Sequence, residues 1–349
     1  MPRSEHLDVE HLDVAFARGS RRVVRDVSFD VPPGEAFGLV GESGSGKSLT
    51  LRSILGLLPP GARASGSIRY GDRSLLDLTA REYQRLRGST VGMVFQDPMT
   101  ALNPVIRVRD SIAQVIQAHD RVDRGVARSR AVELMERVGI RDAAHRCMAY
   151  PHQFSGGMRQ RVVIAMALAA HPSLLLADEP TTALDVVVQS EILRMLDRLR
   201  REDGMTLLLV SHDFGVVAGL CRRVGVMYAG ELVEVGPTER VLFDSRHPYT
   251  IGLIDSLPEA GHGRRLRPIP GSQPEAGQEL TGCAFAQRCP IATDECRARP
   301  VQLEPTGVDQ VSRCIHVDRL GELRRRAAPT IDDVERAEAA TERAEAVDA

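Results

Sequence analysis

Two hydrophobic periods alternate along the chain, and their order outlines a fold. From Leu7 to Asp30, short alternating apolar segments (Val9, Leu12, Val14, then Val27 and Phe29) predict strands of an antiparallel sheet. After the turn Pro32-Pro33-Gly34 comes a wholly apolar strand, Ala36 to Val40, then a glycine-rich loop and a helical stretch from Ser48 to Leu58 that Pro59-Pro60-Gly61 ends. Residues 105–146 take helical spacing (Ile112, Val115, Ile116; Val132, Leu134, Met135, Val138) among many Arg and Glu, which predicts a helical insertion. Two more apolar runs, Leu174 to Ala177 and Thr206 to Val210, read as buried parallel strands. Between them lies an amphipathic helix, Val188 to Arg200, with Ile192, Leu196 and Leu199 inward. This order predicts a doubly wound α/β fold. Beyond about Leu257 the chain turns to Pro, Gly and Arg, so a domain of residues 1–257 is expected to precede an extension, 258–320, and a polar tail, 321–349, that is a solvated helix or disordered.

Composition narrows the function classes. The 43% hydrophobic and 26% charged residues are ordinary for a globular protein, and a net charge of -2 leaves no nucleic-acid footprint. The longest apolar run, Val162 to Ala170, falls short of the roughly 18 residues that cross a bilayer, so any membrane contact is expected to run through a partner. The N-terminus shows no secretory pattern, so a reducing cytosol is the expected compartment, with the cysteines expected as thiols or ligands. Every basic residue but Lys47 is an arginine. Coding bias is the bland explanation, yet the one lysine stands where a compact ammonium suits phosphate better than a forked guanidinium.

That lysine belongs to Gly41-Glu42-Ser43-Gly44-Ser45-Gly46-Lys47-Ser48, a phosphate-binding pattern placed between a predicted strand and helix. Its glycines let successive N–H groups turn toward phosphate oxygens, and the helix presents its positive end. Lys47 supplies a mobile charge, and Ser48 is expected to place its hydroxyl on Mg²⁺. Asp178 and Glu179 end the strand Leu174 to Ala177 side by side, with Asp178 expected in the Mg²⁺ shell and Glu179 as general base for the attacking water. His212, just after the strand Thr206 to Val210, is expected to sense the γ-phosphate; a structural histidine is the bland reading. Gln96 follows a strand Val91 to Phe95 and is expected at the water or the metal, with a surface glutamine as the alternative.

Phe154-Ser155-Gly156-Gly157-Met158-Arg159-Gln160-Arg161 precedes a nearly all-apolar helix, and with it the sequence resembles the ABC ATPase family over about Leu7 to Leu257. The resemblance implies a P-loop NTPase cassette with a parallel core sheet, an antiparallel β subdomain and a helical subdomain at about 98–160. It implies that Ser155, Gly156 and Gly157 cap the nucleotide of an opposite cassette, that Ala183-Leu184-Asp185 lines the dimer contact, and that Gln96 feels the membrane subunits. His212 becomes the switch histidine. Phe16 is the candidate for stacking on adenine, with Arg18 as alternative and a core phenylalanine as the bland reading.

Gly236-Pro-Thr-Glu, His247-Pro-Tyr-Thr and Ile269-Pro-Gly further resemble the ATPases of oligopeptide and dipeptide importers, including their C-terminal extension. The implied cargo is a peptide, with nickel or another small solute as alternative and a non-transport regulatory or repair ATPase as the rival class. The implied partners are a second ABC ATPase of a different chain, two membrane permease subunits and, indirectly, a solute-binding protein. Nucleic acid is not among them. The implied location is the cytoplasmic face of the membrane.

Cys283, Cys289, Cys296 and Cys314 fall in a segment too short for its own apolar core, so something is expected to staple it. No C-x2-C knuckle is present. Four thiolates suit an iron–sulfur cluster, and the resemblance implies [4Fe-4S]; Zn²⁺ and unliganded thiols stay open, with His316 a substitute ligand. Cys147 and Cys221 read as core thiols.

Overall fold

The computed structural model describes residues 5–16, 21–182, 184–256, 268–321 and 323. The expected boundary near Leu257, most of the tail, Arg18 and Ala183 lie outside the described residues.

Strands β1 (Leu7–Phe16) and β2 (Arg21–Val31) form the expected antiparallel pair, and β3 (Ala36–Val40) leads into the phosphate loop. With β4 (Arg63–Tyr70) and β5 (Arg73–Ser74), the first two strands make a four-stranded sheet in the order β2-β1-β4-β5. The larger sheet adds to β3 the strands β6 (Val91–Val94), β7 (Leu174–Asp178), β8 (Thr206–Ser211), β9 (Arg223–Tyr228), β10 (Glu231–Pro237), β11 (Glu304–Gly307) and β12 (Gln310–Ser312). Its order is β11-β12-β10-β9-β3-β8-β7-β6, and the run from β9 to β6 is parallel. The β7 and β8 strands are buried along their whole length because both faces of the sheet are covered. Their side chains divide by the period of two: Leu175, Ala177, Leu207 and Leu209 enter one core, while Leu174, Leu176, Leu208 and Val210 enter the other.

Helix α1 (Lys47–Ile54) stops earlier than the expected Leu58. Gly56 takes a left-handed φ of 60°, its N–H donates to Ser53 O at 3.2 Å, and Leu57 N donates to Arg52 O at 2.8 Å. These paired bonds close the helix at the glycine, ahead of the prolines. Helix α2 (Ala80–Leu86) crosses to β6; it opens with a capping box between Thr79 and Glu82. The helical insertion follows as α3 (Pro98–Ala101), α4 (Val108–His119), α5 (Arg124–Arg137), α6 (Ala143–Arg146) and α7 (Gly156–Leu168). Ile112 and Ile116 of α4 and Leu134 and Met135 of α5 join the core that holds α7. Helices α8 (Val186–Asp203), α9 (Phe214–Ala218), α10 (Thr238–Phe243), α11 (Pro248–Asp255) and α12 (Asp294–Ala298) complete the order. Along α8, Ile192, Leu196 and Leu199 are buried as expected.

The extension packs onto the cassette, which removes the need for a core of its own. Its hairpin β11–β12 extends the large sheet, β12 pairing with β10 through Glu234↔Ser312 and Val235↔Val311. Phe285, 2% exposed, sits against Tyr228 and Tyr249 with ring centroids 5.3 and 5.5 Å away. Burying such a ring favours docking by about 1.5–3 kcal/mol.

Glu234 on β10 is fully buried where the extension meets the sheet, accepting from Arg246 N at 2.6 Å and from Gln310 Nε2 at 2.8 Å. Burial, opposed by hydrogen bonds to Thr250, Arg246 and Gln310, raises its carboxyl to about 7. The folded chain therefore holds a proton there that the unfolded chain releases at lower pH, and stability falls as pH rises toward and through the folded value. Between about pH 5 and about pH 8, the stability of Glu234→Gln relative to the parent is expected to rise by roughly 2–3 kcal/mol, read from denaturant unfolding at both pH values.

Candidate active site

The phosphate loop is curled by left-handed glycines, with φ of 81° at Gly44 and 103° at Gly46, and by close packing at Gly41. A Cβ added to Gly41 would lie 2.1 Å from Met227 O. Lys47 folds back into the loop: Nζ donates to Gly41 O at 2.7 Å, to Glu42 O at 2.9 Å and to Ser45 Oγ at 3.3 Å. Burial lowers the Lys47 ammonium below its ordinary pKa, opposed by the charges of Glu179, Asp178 and Glu42. Glu42, Ser43, Gly44, Ser45 and Gly46 occupy the bend between β3 and α1.

Ser48 Oγ donates to Asp178 Oδ1 at 2.8 Å, so the two residues expected around Mg²⁺ already touch. Asp178 is 2% exposed, and burial raises its carboxyl above the usual range, opposed first by the Ser48 bond and then by Arg52. These two oxygens are the hard donors that Mg²⁺ selects. Gln96 lies elsewhere in the site: its Nε2 donates to Glu179 Oε2 at 3.0 Å.

Glu179 is the hub. It leaves β7 with φ of 48°, left-handed for a non-glycine, while its N–H donates to Val210 O of β8 at 3.0 Å. Such a backbone costs about 1–3 kcal/mol and points its carboxylate out of the sheet end. Three side chains then meet Oε2: Gln96 Nε2 at 3.0 Å, Thr182 Oγ1 at 2.8 Å and His212 Nδ1 at 3.2 Å. The carboxylate only accepts, so the His212 tautomer with Nδ1 protonated satisfies the network. Thr182 was not among the expected residues; the one signal for it is a hydroxyl three positions beyond the carboxylate, within reach across a turn.

The residues expected to act on an opposite cassette sit together in a second group. Ser155 caps α7, its Oγ accepting from Met158 N at 3.4 Å. Gly156 and Gly157 let α8 approach: a Cβ on Gly157 would lie 2.5 Å from Val188 Cγ1, and one on Gly156 3.4 Å from Leu184 Cδ2. Asp185 caps α8, accepting from Val188 N at 2.9 Å. None of these partners belongs to the phosphate loop. Phe16 is half-buried at the end of β1 opposite Arg21, on the hairpin whose Val24 packs 3.2 Å from a Cβ position at Gly46.

Cys283, Cys289, Cys296 and Cys314 are free thiols that line one cavity of about 320 Å³, open space at its mouth included, with Phe285 and His316. Burial pushes Cys283 up to about 12 and Cys314 up to about 11, with neighbouring thiols adding to the shift. Against this, Cys283, Cys289 and Cys314 each receive a bond from the amide two residues on, at Phe285, Ile291 and His316. Amides directed at sulfur stabilise thiolates. Among the described residues, however, no three His, Cys, Asp or Glu side chains converge closely enough to hold one metal ion. The four thiols thus share a cavity without a preformed coordination sphere. Cys147 and Cys221 are buried core thiols, 3% and 4% exposed.

Residues 24–182 match the ABC transporter family, and residues 233–296 match the oligopeptide/dipeptide transporter C-terminal region. A putative peptide import ATP-binding protein of Brucella abortus is 46% identical over 334 residues, covering 90% of this chain and 98% of that protein. The dipeptide transport ATP-binding protein DppD of Bacillus subtilis is 45% identical, with 81% and 86% covered. The oligopeptide transport ATP-binding protein OppD of Mycobacterium tuberculosis is 46% identical, with 89% of this chain and 52% of that protein covered. Among solved structures, a dimeric ATP-binding cassette in a post-hydrolysis state with ADP and phosphate aligns with a TM-score of 0.60 at 28% identity, covering 66% of this chain and 98% of that one. The cbiO1 subunit from Clostridium perfringens, part of an ABC transporter complex, aligns with a TM-score of 0.60 at 29% identity, covering 71% and 94%.

Because Gly41 meets a backbone oxygen that cannot move aside, Gly41→Ala is expected to lower stability by about 1–3 kcal/mol and to weaken ATP binding. Thermal unfolding with and without Mg–ATP checks both effects.

Proposed function

Because this chain belongs to the ABC transporter ATP-binding family, in the group that carries the oligopeptide/dipeptide C-terminal region, we propose that it is the ATP-hydrolysing subunit that powers an importer of oligopeptides or dipeptides. The convergence of Gln96, Thr182 and His212 on Glu179 Oε2, beside the Ser48–Asp178 pair, carries the ATP-hydrolysing part of this reading, and the peptide relatives carry its cargo. A carboxylate so oriented is a general base aimed at water, and the adjacent pair marks where a metal-bound triphosphate rests.

ATP enters with its β- and γ-phosphates in the curl of Gly41–Ser48, held by loop N–H groups, the positive end of α1 and Lys47. Nζ exchanges its three loop oxygens for phosphate oxygens. Phe16 stacks on the adenine. Ser48 and Asp178 would hold Mg²⁺, which when bound offsets negative charge on the terminal phosphates, while Gln96, expected at the water or the metal, stands on the water side at Glu179. Glu179 takes the proton of the attacking water, with Gln96, Thr182 and His212 fixing the carboxylate and His212 also reading the γ-phosphate. A lone cassette lacks a cap on that phosphate. Ser155, Gly156 and Gly157, at the positive end of α7, supply it to the opposite cassette, with Asp185 at the contact between the two, as the dimeric ADP-bound relative supports. ATP thereby closes two cassettes, and hydrolysis reopens them. The membrane permease subunits feel this motion near Gln96, and this chain sits peripherally at the cytoplasmic face; among the described residues no helix is long and apolar enough to cross a membrane. A second, different ATPase chain and a solute-binding protein complete the importer.

The finer reading of the extension is that Cys283, Cys289, Cys296 and Cys314 hold a [4Fe-4S] cluster. The shared cavity and the three amide-to-sulfur bonds support it over Zn²⁺, which demands tighter convergence. Such a group supplies redox chemistry or a structural clasp.

Glu179→Gln is expected to keep Mg–ATP affinity while lowering hydrolysis about 10²–10⁴-fold, compared by calorimetry and phosphate release. Residual turnover near the parent rate assigns the base elsewhere. Protein purified without oxygen is expected to be brown, with about four irons per chain; colourless protein with one zinc per chain selects the other metal.

A further inference from the structure

The phosphate loop is gripped from outside as well as from within. Arg288, in the cysteine-bearing segment, places Nη1 3.0 Å from Glu42 Oε2 and 3.3 Å from the Tyr228 hydroxyl. Its Nε donates to Pro270 O at 2.9 Å and its Nη2 to Ile269 O at 3.3 Å. Its charged side chain is only 7% exposed, between the Tyr228 and Phe285 rings. The Tyr249 hydroxyl accepts from Glu42 N at 2.9 Å. One residue further along the loop, Gln273 Nε2 donates to Ser43 O at 2.6 Å, and it stands 3.1 Å from the Cβ position of Gly44.

The same segment then leaves the phosphate loop for the other sheet. Arg21 Nε donates to Ala276 O at 2.6 Å, and the Arg25 guanidinium donates to Gln278 O. Arg21 pairs with Phe16 across the β1–β2 hairpin. Residues 269–278 therefore tie the loop that takes the triphosphate to the hairpin that carries the proposed adenine platform. Residues 207, 230 and 246 positions away in sequence converge on the adjacent loop residues Glu42 and Ser43.

We propose that residues 269–278 form a strap by which the C-terminal extension completes the nucleotide site, with Arg288, Gln273 and Tyr249 as positioning residues for the phosphate loop. The inference rests on the nucleotide-site reading above. Glycines make the loop costly to order, and its N–H groups bind phosphate well only when already oriented. A guanidinium that spends its donors on a carboxylate, a hydroxyl and two carbonyls fixes Glu42 from one side, and Gln273 fixes Ser43 from the other. Arg288 immediately precedes Cys289 and bonds Ile269 O and Pro270 O, so the strap is tied directly to the thiol cavity.

The test uses the full chain carrying Glu179→Gln, which keeps ATP intact, and titrates it with Mg–ATP by calorimetry. Arg288→Gln is expected to raise Kd about tenfold, Gln273→Ala a few-fold, and Arg288→Lys, which keeps the charge facing Glu42, to recover most of the affinity. In the hydrolysing chain Arg288→Gln raises KM while kcat stays within about twofold, the split expected of a residue that acts on binding alone. Should Arg288→Gln fail to fold, the half-buried Gln273→Ala decides. Kd within about twofold of the parent for the folded strap variants overturns the inference. Lys47→Ala separates the two readings: if it still binds ATP, the nucleotide site itself is misassigned, whereas loss of binding there with normal binding in the strap variants sinks the strap alone.

Discussion

A loop can cradle phosphate only if its amides already point inward, and in this protein that constraint is met by Lys47 bonded to the oxygens of its own loop. The ammonium is buried, and three oxygens at hydrogen-bond distance replace the water it has lost. The arrangement is also provisional, since each loop oxygen is a weaker partner than a phosphate. The same interaction that shapes the loop thus defines what displaces it.

The second constraint is where two adjacent carboxylates go. Asp178 is the last residue of β7 and turns inward to Ser48, while Glu179 adopts a left-handed backbone and turns out to three donors. A regular strand would send neighbouring side chains to opposite faces, but both would remain within the sheet. The bend at Glu179 instead puts both at the strand end, Asp178 on Ser48 and Glu179 facing Gln96, Thr182 and His212. The bond from Glu179 N to Val210 O anchors that bend to β8, which ends one residue before His212, so Glu179 and His212 share one support.

Much of this was legible before any coordinates. Wholly apolar runs at 174–177 and 206–210 became fully buried parallel strands, and the phosphate pattern lies between the strand and helix that its spacing demands. Local errors came from local signals given the wrong weight: Gly56, rather than Pro59, ends α1, and Phe95 falls outside β6 at 40% exposure. Thr182 was missed because nothing in its type distinguishes it from a turn threonine. The contacts of the extension were illegible for a different reason. Arg288 and Glu42 lie 246 positions apart, and neither carries a pattern that names the other. Cysteine spacing marked four thiols as neighbours, yet only their placement shows that Phe285 and Arg288, between the first two, face the cassette.

That placement explains why a segment too short for its own core is ordered. Its apolar residues complete the cassette's core, Phe285 beneath Tyr228 and Tyr249, and its polar residues complete the cassette's loop. Tyr249 does both, burying its ring against Phe285 while its hydroxyl accepts from Glu42 N. Packing and phosphate-loop geometry are therefore not independent in this molecule. The Phe285 ring borders both the Tyr249 ring and the Arg288 guanidinium, and both of those residues end on Glu42.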